Sequence, residues 1–142
     1  MNISDVLRRK GGGVVTIRPD DTVERLLEVL AEHKIGALVV SEDGKGVAGI
    51  VSERDVVRHL HHSGAAILAG PVSGIMTAEV ISCAPDEDLA HLAQTMTEQR
   101  IRHMPVMSGG ELYAIISIGD VVKNRIEALQ VERDHLVGYI QQ

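Results

Sequence analysis

The chain has 142 residues, a formal net charge of −6, one cysteine, two tyrosines, and neither phenylalanine nor tryptophan. That length suits one domain or two small units sharing a core. The acidity opposes a phosphate backbone, the missing rings remove base stacking, and one cysteine allows neither an internal disulfide nor a cysteine metal cluster. Met1 to Gly13 holds no apolar stretch of signal-peptide length, which points to the cytoplasm. This segment reads as a short helix with Ser4 as its cap and Ile3, Val6 and Leu7 on its apolar side. Its basic run, Arg8-Arg9-Lys10, is too short to predict a nucleic-acid or membrane surface. Gly11-Gly12-Gly13 lacks the spacing of a phosphate loop and reads as a flexible connection, with Lys10 reaching a bound phosphate as the alternative. A strand over Val14–Ile17 is broken by Pro19 and Asp20. Val23, Leu26, Leu27 and Leu30 then recur at helical spacing. A second strand runs from Ala37 to Val40. Glu42-Asp43-Gly44-Lys45 turns the chain into a third strand that ends at Ser52, where a helix begins. His59, His61 and His62 close that helix, where cations suit its dipole, and they are not read as a metal site. The longest uncharged run, Ser63 to Ala78, contains Gly64, Gly70, Pro71 and Gly74. It reads as a linker and not as a membrane span.

The same order then recurs. Val72-Ser73-Gly74-Ile75-Met76 echoes the leading helix, and Val80–Cys83 echoes the first strand. Leu89, Leu92, Ala93 and Met96 repeat the helical face, and His103–Met107 the second strand. Ser108-Gly109-Gly110 makes the turn, and Ser117 ends the third strand. Pro19 and Pro85 stand 66 positions apart and Asp55 and Asp120 stand 65 apart, so one residue is lost in the second hairpin. The last helix differs: Val122, Ile126, Leu129, Leu136 and Ile140 carry an apolar stripe far past the repeat, to be covered by the chain's own core or by a partner chain. The predicted fold is α+β, two tandem β-α-β-β-α repeats packed sheet to sheet with pseudo-two-fold symmetry. Its bounds are 1–62 for the first repeat, 63–71 for a linker, 72–126 for the second repeat and 127–142 for the extended helix.

Ser52-x-x-Asp55 and Ser117-x-x-Asp120 each sit at a strand-to-helix junction. The spacing is that of a capping box. The same carboxylates can accept hydrogen bonds from paired ribose hydroxyls, and the helix N-terminus with the Ser hydroxyl suits a phosphate. Cys83, in a predicted strand, reads as a small buried hydrophobe.

The doubled pattern resembles the CBS domain pair, from about Ile3 to about Arg125. The resemblance is carried by Gly49-Ile50-Val51-Ser52-x-x-Asp55 with its echo Ala114-Ile115-Ile116-Ser117-x-x-Asp120. It is also carried by Arg100-Ile101-Arg102-His103-Met104-Pro105-Val106 and by the strand-Pro-Asp helix starts. It implies a regulatory module, not an enzyme, that binds an adenine nucleotide between its repeats. AMP is the first expectation, with ADP, ATP or NAD(H) as alternatives and no catalytic cofactor. By position, Asp120 and Asp55 would hold ribose, and Arg102, His103, Ser117, Arg100 and Ser52 would hold phosphate. Ser82, Met104, Pro105, Thr16, Ala37 and Leu38 would face adenine. The first copy has Lys34, Gly36 and Ala37 where the second has Arg100, Arg102 and His103. The expectation is therefore that Arg102, His103, Ser117 and Asp120 share the better site, weakened slightly because Ala114 replaces the glycine that would admit a ligand at Gly49. The resemblance further implies a homodimer, a disc of four repeats, acting on an unidentified regulated protein. A chain this short is expected to direct its output to another chain or to self-assembly. The alternative is a ligand-free dimerisation scaffold with vestigial sites.

Overall fold

A computed structural model describes residues 1–11 and 13–141; Gly12 of the expected glycine connection and Gln142 of the last helix lie outside the described residues. Helix α1 spans Ile3–Lys10, and its cap is Asn2, not Ser4. The Asn2 side chain accepts from the Asp5 amide at 3.1 Å, and Asp5 accepts from the Asn2 amide at 2.9 Å. The capping-box spacing of Asn2 and Asp5 satisfies two otherwise orphan donors, which starts the helix ahead of Ser4.

Strand β1 is Thr16–Ile17, shorter than the expected Val14–Ile17. Helix α2 (Val23–His33), strands β2 (Ala37–Val40) and β3 (Gly49–Ser52), and helix α3 (Glu53–Ser63) complete the first repeat. β2 pairs parallel with β1 and antiparallel with β3. Two 3₁₀ turns, Ala65–Ala69 and Val72–Gly74, lead to α4 (Leu89–Gln99), β4 (His103–Ser108), β5 (Glu111–Ser117) and α5 (Ile118–Gln141). α2 and α4 both end in a left-handed basic residue, Lys34 (φ 53°) and Arg100 (φ 55°), which turns the chain into the next strand.

The expected strand Val80–Cys83 is reduced to a parallel bridge between Cys83 and Val106. Cys83 donates to the Pro105 carbonyl and accepts from Met107. The next rung toward Ile81 needs an amide donor from Pro105, which has none, so the ladder stops there. At the matching place in the first repeat Val39 keeps its N–H and β1 pairs regularly. The consequence is that Val80 and Ile81 leave the sheet.

The leading segments are exchanged between repeats. Ile3 and Val6 of α1 are buried with Cys83, Leu89, Leu92, Met96 and Ile116 of the second repeat. Val72 and Ile75 are buried with Val23, Leu26, Leu38 and Val51 of the first. Three pairs of backbone hydrogen bonds repeat the exchange. Ile3 donates to Glu87 and Val72 to Asp21; Ser4 donates to Pro85 and Ser73 to Pro19; Leu89 donates to Met1 and Val23 to Gly70. The matched set places the pseudo-two-fold between the repeats and makes the packing units differ from the units in chain order.

Candidate functional site

A cleft of about 380 Å³ with both charged and apolar walls lies between the repeats. One wall is the N-terminus of α3. Ser52 caps it: its hydroxyl accepts from the Asp55 amide at 3.3 Å, and Asp55 Oδ2 accepts from the Ser52 amide at 2.8 Å and its hydroxyl at 3.0 Å. Asp55 Oδ1 accepts from Arg58 Nη2 at 2.6 Å. The carboxylate is buried, whereas the Arg58 side chain that pairs with it is 55% exposed. A second wall is apolar and comes from Ile50, Val80 and Ile81. The third is Arg100 to His103 from the second repeat. Among the lining residues Arg54, Arg58, Arg100 and Arg102 oppose Glu53, Asp55 and Glu79. In a chain of net charge −6 the cleft therefore carries a local excess of cations.

Gly49 stands behind this cleft for a reason the sequence does not announce. A Cβ there would lie 2.7 Å from the Thr77 carbonyl oxygen and 2.8 Å from Met76 Sδ. The missing side chain admits the Thr77 backbone and not, as expected, a ligand. Ile50 and Thr77 exchange two hydrogen bonds, at 3.0 and 2.9 Å, which lash the segment leading to Ile81 across the first repeat.

A smaller cleft of about 150 Å³ is lined by Leu7, Lys10, Tyr113, Ala114 and Ile115. Beside it, at the end of the strand that carries Ile115, Ser117 and Asp120 repeat the reciprocal cap, at 2.9 and 3.1 Å. Asp120 Oδ2 also accepts from Lys10 Nζ at 2.9 Å, and the same ammonium donates to the Ile115 carbonyl at 3.2 Å. Partial burial pushes the Asp120 carboxyl upward, but the hydrogen bonds from Lys10 and the Ser117 amide outweigh it and hold it below its usual range.

The residues expected to act together are thus divided. Arg100, Arg102 and His103 line the first cleft with Ser52 and Asp55, and Asp120 is not among its lining residues. Of the expected group, Arg102 and His103 line this cleft while Ser117 and Asp120 do not. His103 pairs with Ser117 across the β4–β5 ladder, yet its position at the start of β4 also fronts the first cleft. Burial pushes its imidazole below the ordinary value, aided by the charge of Lys10. Of the adenine candidates, Ala37 lines the cleft. Leu38 and Met104 are wholly buried core residues. Pro105 is buried in β4, Thr16 is half-buried in β1, and Ser82 is exposed. Arg58, Thr77, Val80 and Ile81 were missed. The signal for Arg58 was its place one helical turn after Asp55, and that for Val80 and Ile81 was the proline in the neighbouring strand. Cys83 is buried, with its thiol pushed up to about 12 by desolvation and then by Glu87, which makes it an inert core residue. No helix among the described residues is long and apolar enough to cross a membrane.

Comparison with known proteins agrees with the two-repeat fold. The CBS domain family matches residues 3–62 and 72–127. A mitochondrial CBS domain-containing protein of Arabidopsis thaliana is 36% identical over 147 residues, covering 98% of this chain and 71% of that protein. The crystal structure of a CBS-domain containing protein from Agrobacterium tumefaciens superposes with a TM-score of 0.84 at 44% identity, covering 88% of this chain and 99% of that one. A CBS domain pair solved in complex with 5′-methylthioadenosine and S-adenosyl-L-methionine shares the fold, with a TM-score of 0.79 at 20% identity, covering 90% and 98% of the two chains.

Proposed function

The chain belongs to the CBS-domain family, whose paired modules are regulatory, and on that premise we propose that it is an adenine-nucleotide sensor whose principal ligand lies in the cleft between Asp55 and Arg102. The observation that carries this reading is the convergence, in one cleft of about 380 Å³, of a capped helix N-terminus, an apolar wall and four arginines. A volume in that range suits a small-molecule ligand. The base packs against Ile50, Val80 and Ile81. The ribose hydroxyls bond Asp55, and Arg58 turns from the carboxylate to the phosphate beside Arg100 and Arg102. The cation excess favours AMP, ADP, ATP or NAD(H) over S-adenosylmethionine, whose sulfonium brings a further positive charge. Because the walls come from both repeats, a ligand that fits one relative tilt better than another shifts the module toward it. The output passes to a partner chain, and the module acts as a homodimer.

A thermal-shift series with AMP, ADP, ATP, NAD, NADH and S-adenosylmethionine tests the reading. One nucleotide raises Tm with concentration, the stabilisation reaching about 2.7 kcal/mol at a hundred times Kd. Asp55→Ala and Arg102→Ala each reduce that rise, measured from the variant's own ligand-free Tm, whereas Asp120→Ala keeps it. No rise at millimolar concentration from any of these ligands would favour the second reading, a ligand-free dimerisation scaffold. That reading has its own support in the exposed Leu129, Leu136 and Ile140 of α5.

A further inference from the structure

The two clefts have matched parts and different occupants. In the first, the Ile50 carbonyl accepts from the Thr77 amide, and Asp55 is covered by a cation of its own helix. In the second, one ammonium takes both matching acceptors, the Ile115 carbonyl and the Asp120 carboxylate. The difference is written into the chain. From Ile3 to Val14 is eleven positions, whereas the matching run from Val72 to Val80 is eight. Three added residues are nearly one helical turn. The leading segment that packs on the second repeat is accordingly the eight-residue helix α1, against a three-residue 3₁₀ turn on the first. The added turn ends in Lys10, and Gly11 (φ +64°) turns the chain away behind it. Ala114 completes the arrangement. It stands where the first repeat has Gly49, the glycine against which the Thr77 carbonyl lies.

We propose that Lys10 is a built-in occupant of the second cleft: it fills the place of a ligand at Asp120 and limits the module to one nucleotide per chain. This rests on the nucleotide-binding reading of the first cleft. The lowered carboxyl of Asp120 is consistent with a standing ion pair, not a passing one. Lys10→Met keeps the apolar stem and removes the two hydrogen bonds, which frees Asp120 and the Ile115 carbonyl for a second ligand.

Calorimetric titration with ATP and with AMP counts sites in the wild type, in Lys10→Met and in Lys10→Met/Asp120→Ala, while carbon-detected NMR follows the Asp120 carboxyl in the wild type and Lys10→Met. The expected result is one site in the wild type, two in Lys10→Met and one again in the double variant, with the Asp120 titration moving upward when Lys10 is replaced. Two sites in the wild type would overturn the proposal. So would a loss of sites in Lys10→Met, which would make Lys10 a ligand contact. Failure of the wild type to bind either nucleotide would overturn the sensor reading and leave the occupant to be judged by NMR: an upward move supports it, and an Asp120 that titrates alike in both proteins removes it.

Discussion

A single missing methyl separates the two halves of the pseudo-symmetric pair. At Gly49 the absent Cβ lets the Thr77 backbone approach β3, and the two hydrogen bonds of Ile50 with Thr77 follow from that approach. At Ala114 the methyl is present and the approach is not made. Gly49→Ala forces the Thr77 carbonyl, a backbone atom with little freedom, out of its position. Overpacking of this kind costs about 1–3 kcal/mol. Urea unfolding is expected to show that loss. Because the same segment continues to Val80 and Ile81, nucleotide affinity falls along with stability. Ala114→Gly, by contrast, opens no blocked contact and is expected to cost no more than the 0.5–1 kcal/mol of a glycine in a strand. Equal effects at the two positions would show that the Thr77 contact is not what Gly49 is there for.

Helix α5 shows how an element outgrows its repeat. It has 24 residues and its last buried residue is Asn124, held by the Asp120 carbonyl at 2.7 Å. Beyond it, Ile126, Leu129, Leu136 and Ile140 are 50–80% exposed. With Val122 they follow spacings of four, three, seven and four, the seam of a coiled coil, which a like helix fills best. Sedimentation is expected to give a dimer, and Leu129→Glu with Leu136→Glu a folded monomer with unchanged far-ultraviolet dichroism. A wild-type monomer at a loading concentration of about 0.1 mM would argue against pairing through this face, since a stable interface holds at micromolar levels and below. The stripe itself was legible, as were every helix and both hairpins, because periodicity and turn residues are local signals. The shortened strand before Cys83 was legible in principle from Pro105. The exchange of α1 with Val72–Gly74 was not, since either segment has the same apolar pattern and nothing local says which core it covers. Arg102, expected beside Asp120, lines the first cleft with Asp55. The Ser-x-x-Asp caps were read correctly from spacing alone, but which cleft each one serves is a property of the crossing.

At the scale of the whole molecule, His103 lines the first cleft and feels charges that include Lys10, a lining residue of the second. Burial pushes its imidazole below the ordinary value of 6.5; Lys10 pushes the same way, Asp120 opposes, Arg102 again lowers and Glu53 opposes. Lys10 lines the second cleft and pairs with Asp120, and Arg102 and Glu53 line the first, so charges beside both clefts act on one ring. The sign of the pH effect follows. With its folded value below its unfolded one, His103 is neutral in the fold while the unfolded chain takes up a proton first. Its contribution to stability is complete above about pH 6.5 and is lost as pH falls toward the folded value, at no more than about 1.4 kcal/mol per pH unit for one proton. Asp120, held below its unfolded value of 3.8, contributes above that value and loses its share only at lower pH. Melting curves of the wild type and His103→Gln between pH 7.5 and about 5 should therefore diverge, the wild type losing stability more steeply below 6.5. If the ring joins the clefts energetically, nucleotide bound beside Arg102 brings further negative charge to it and raises its value. The pH dependence of the wild type then flattens with ligand, while that of His103→Gln does not change. Parallel curves for the two proteins, with and without ligand, would mean that His103 carries no charge coupling between the clefts.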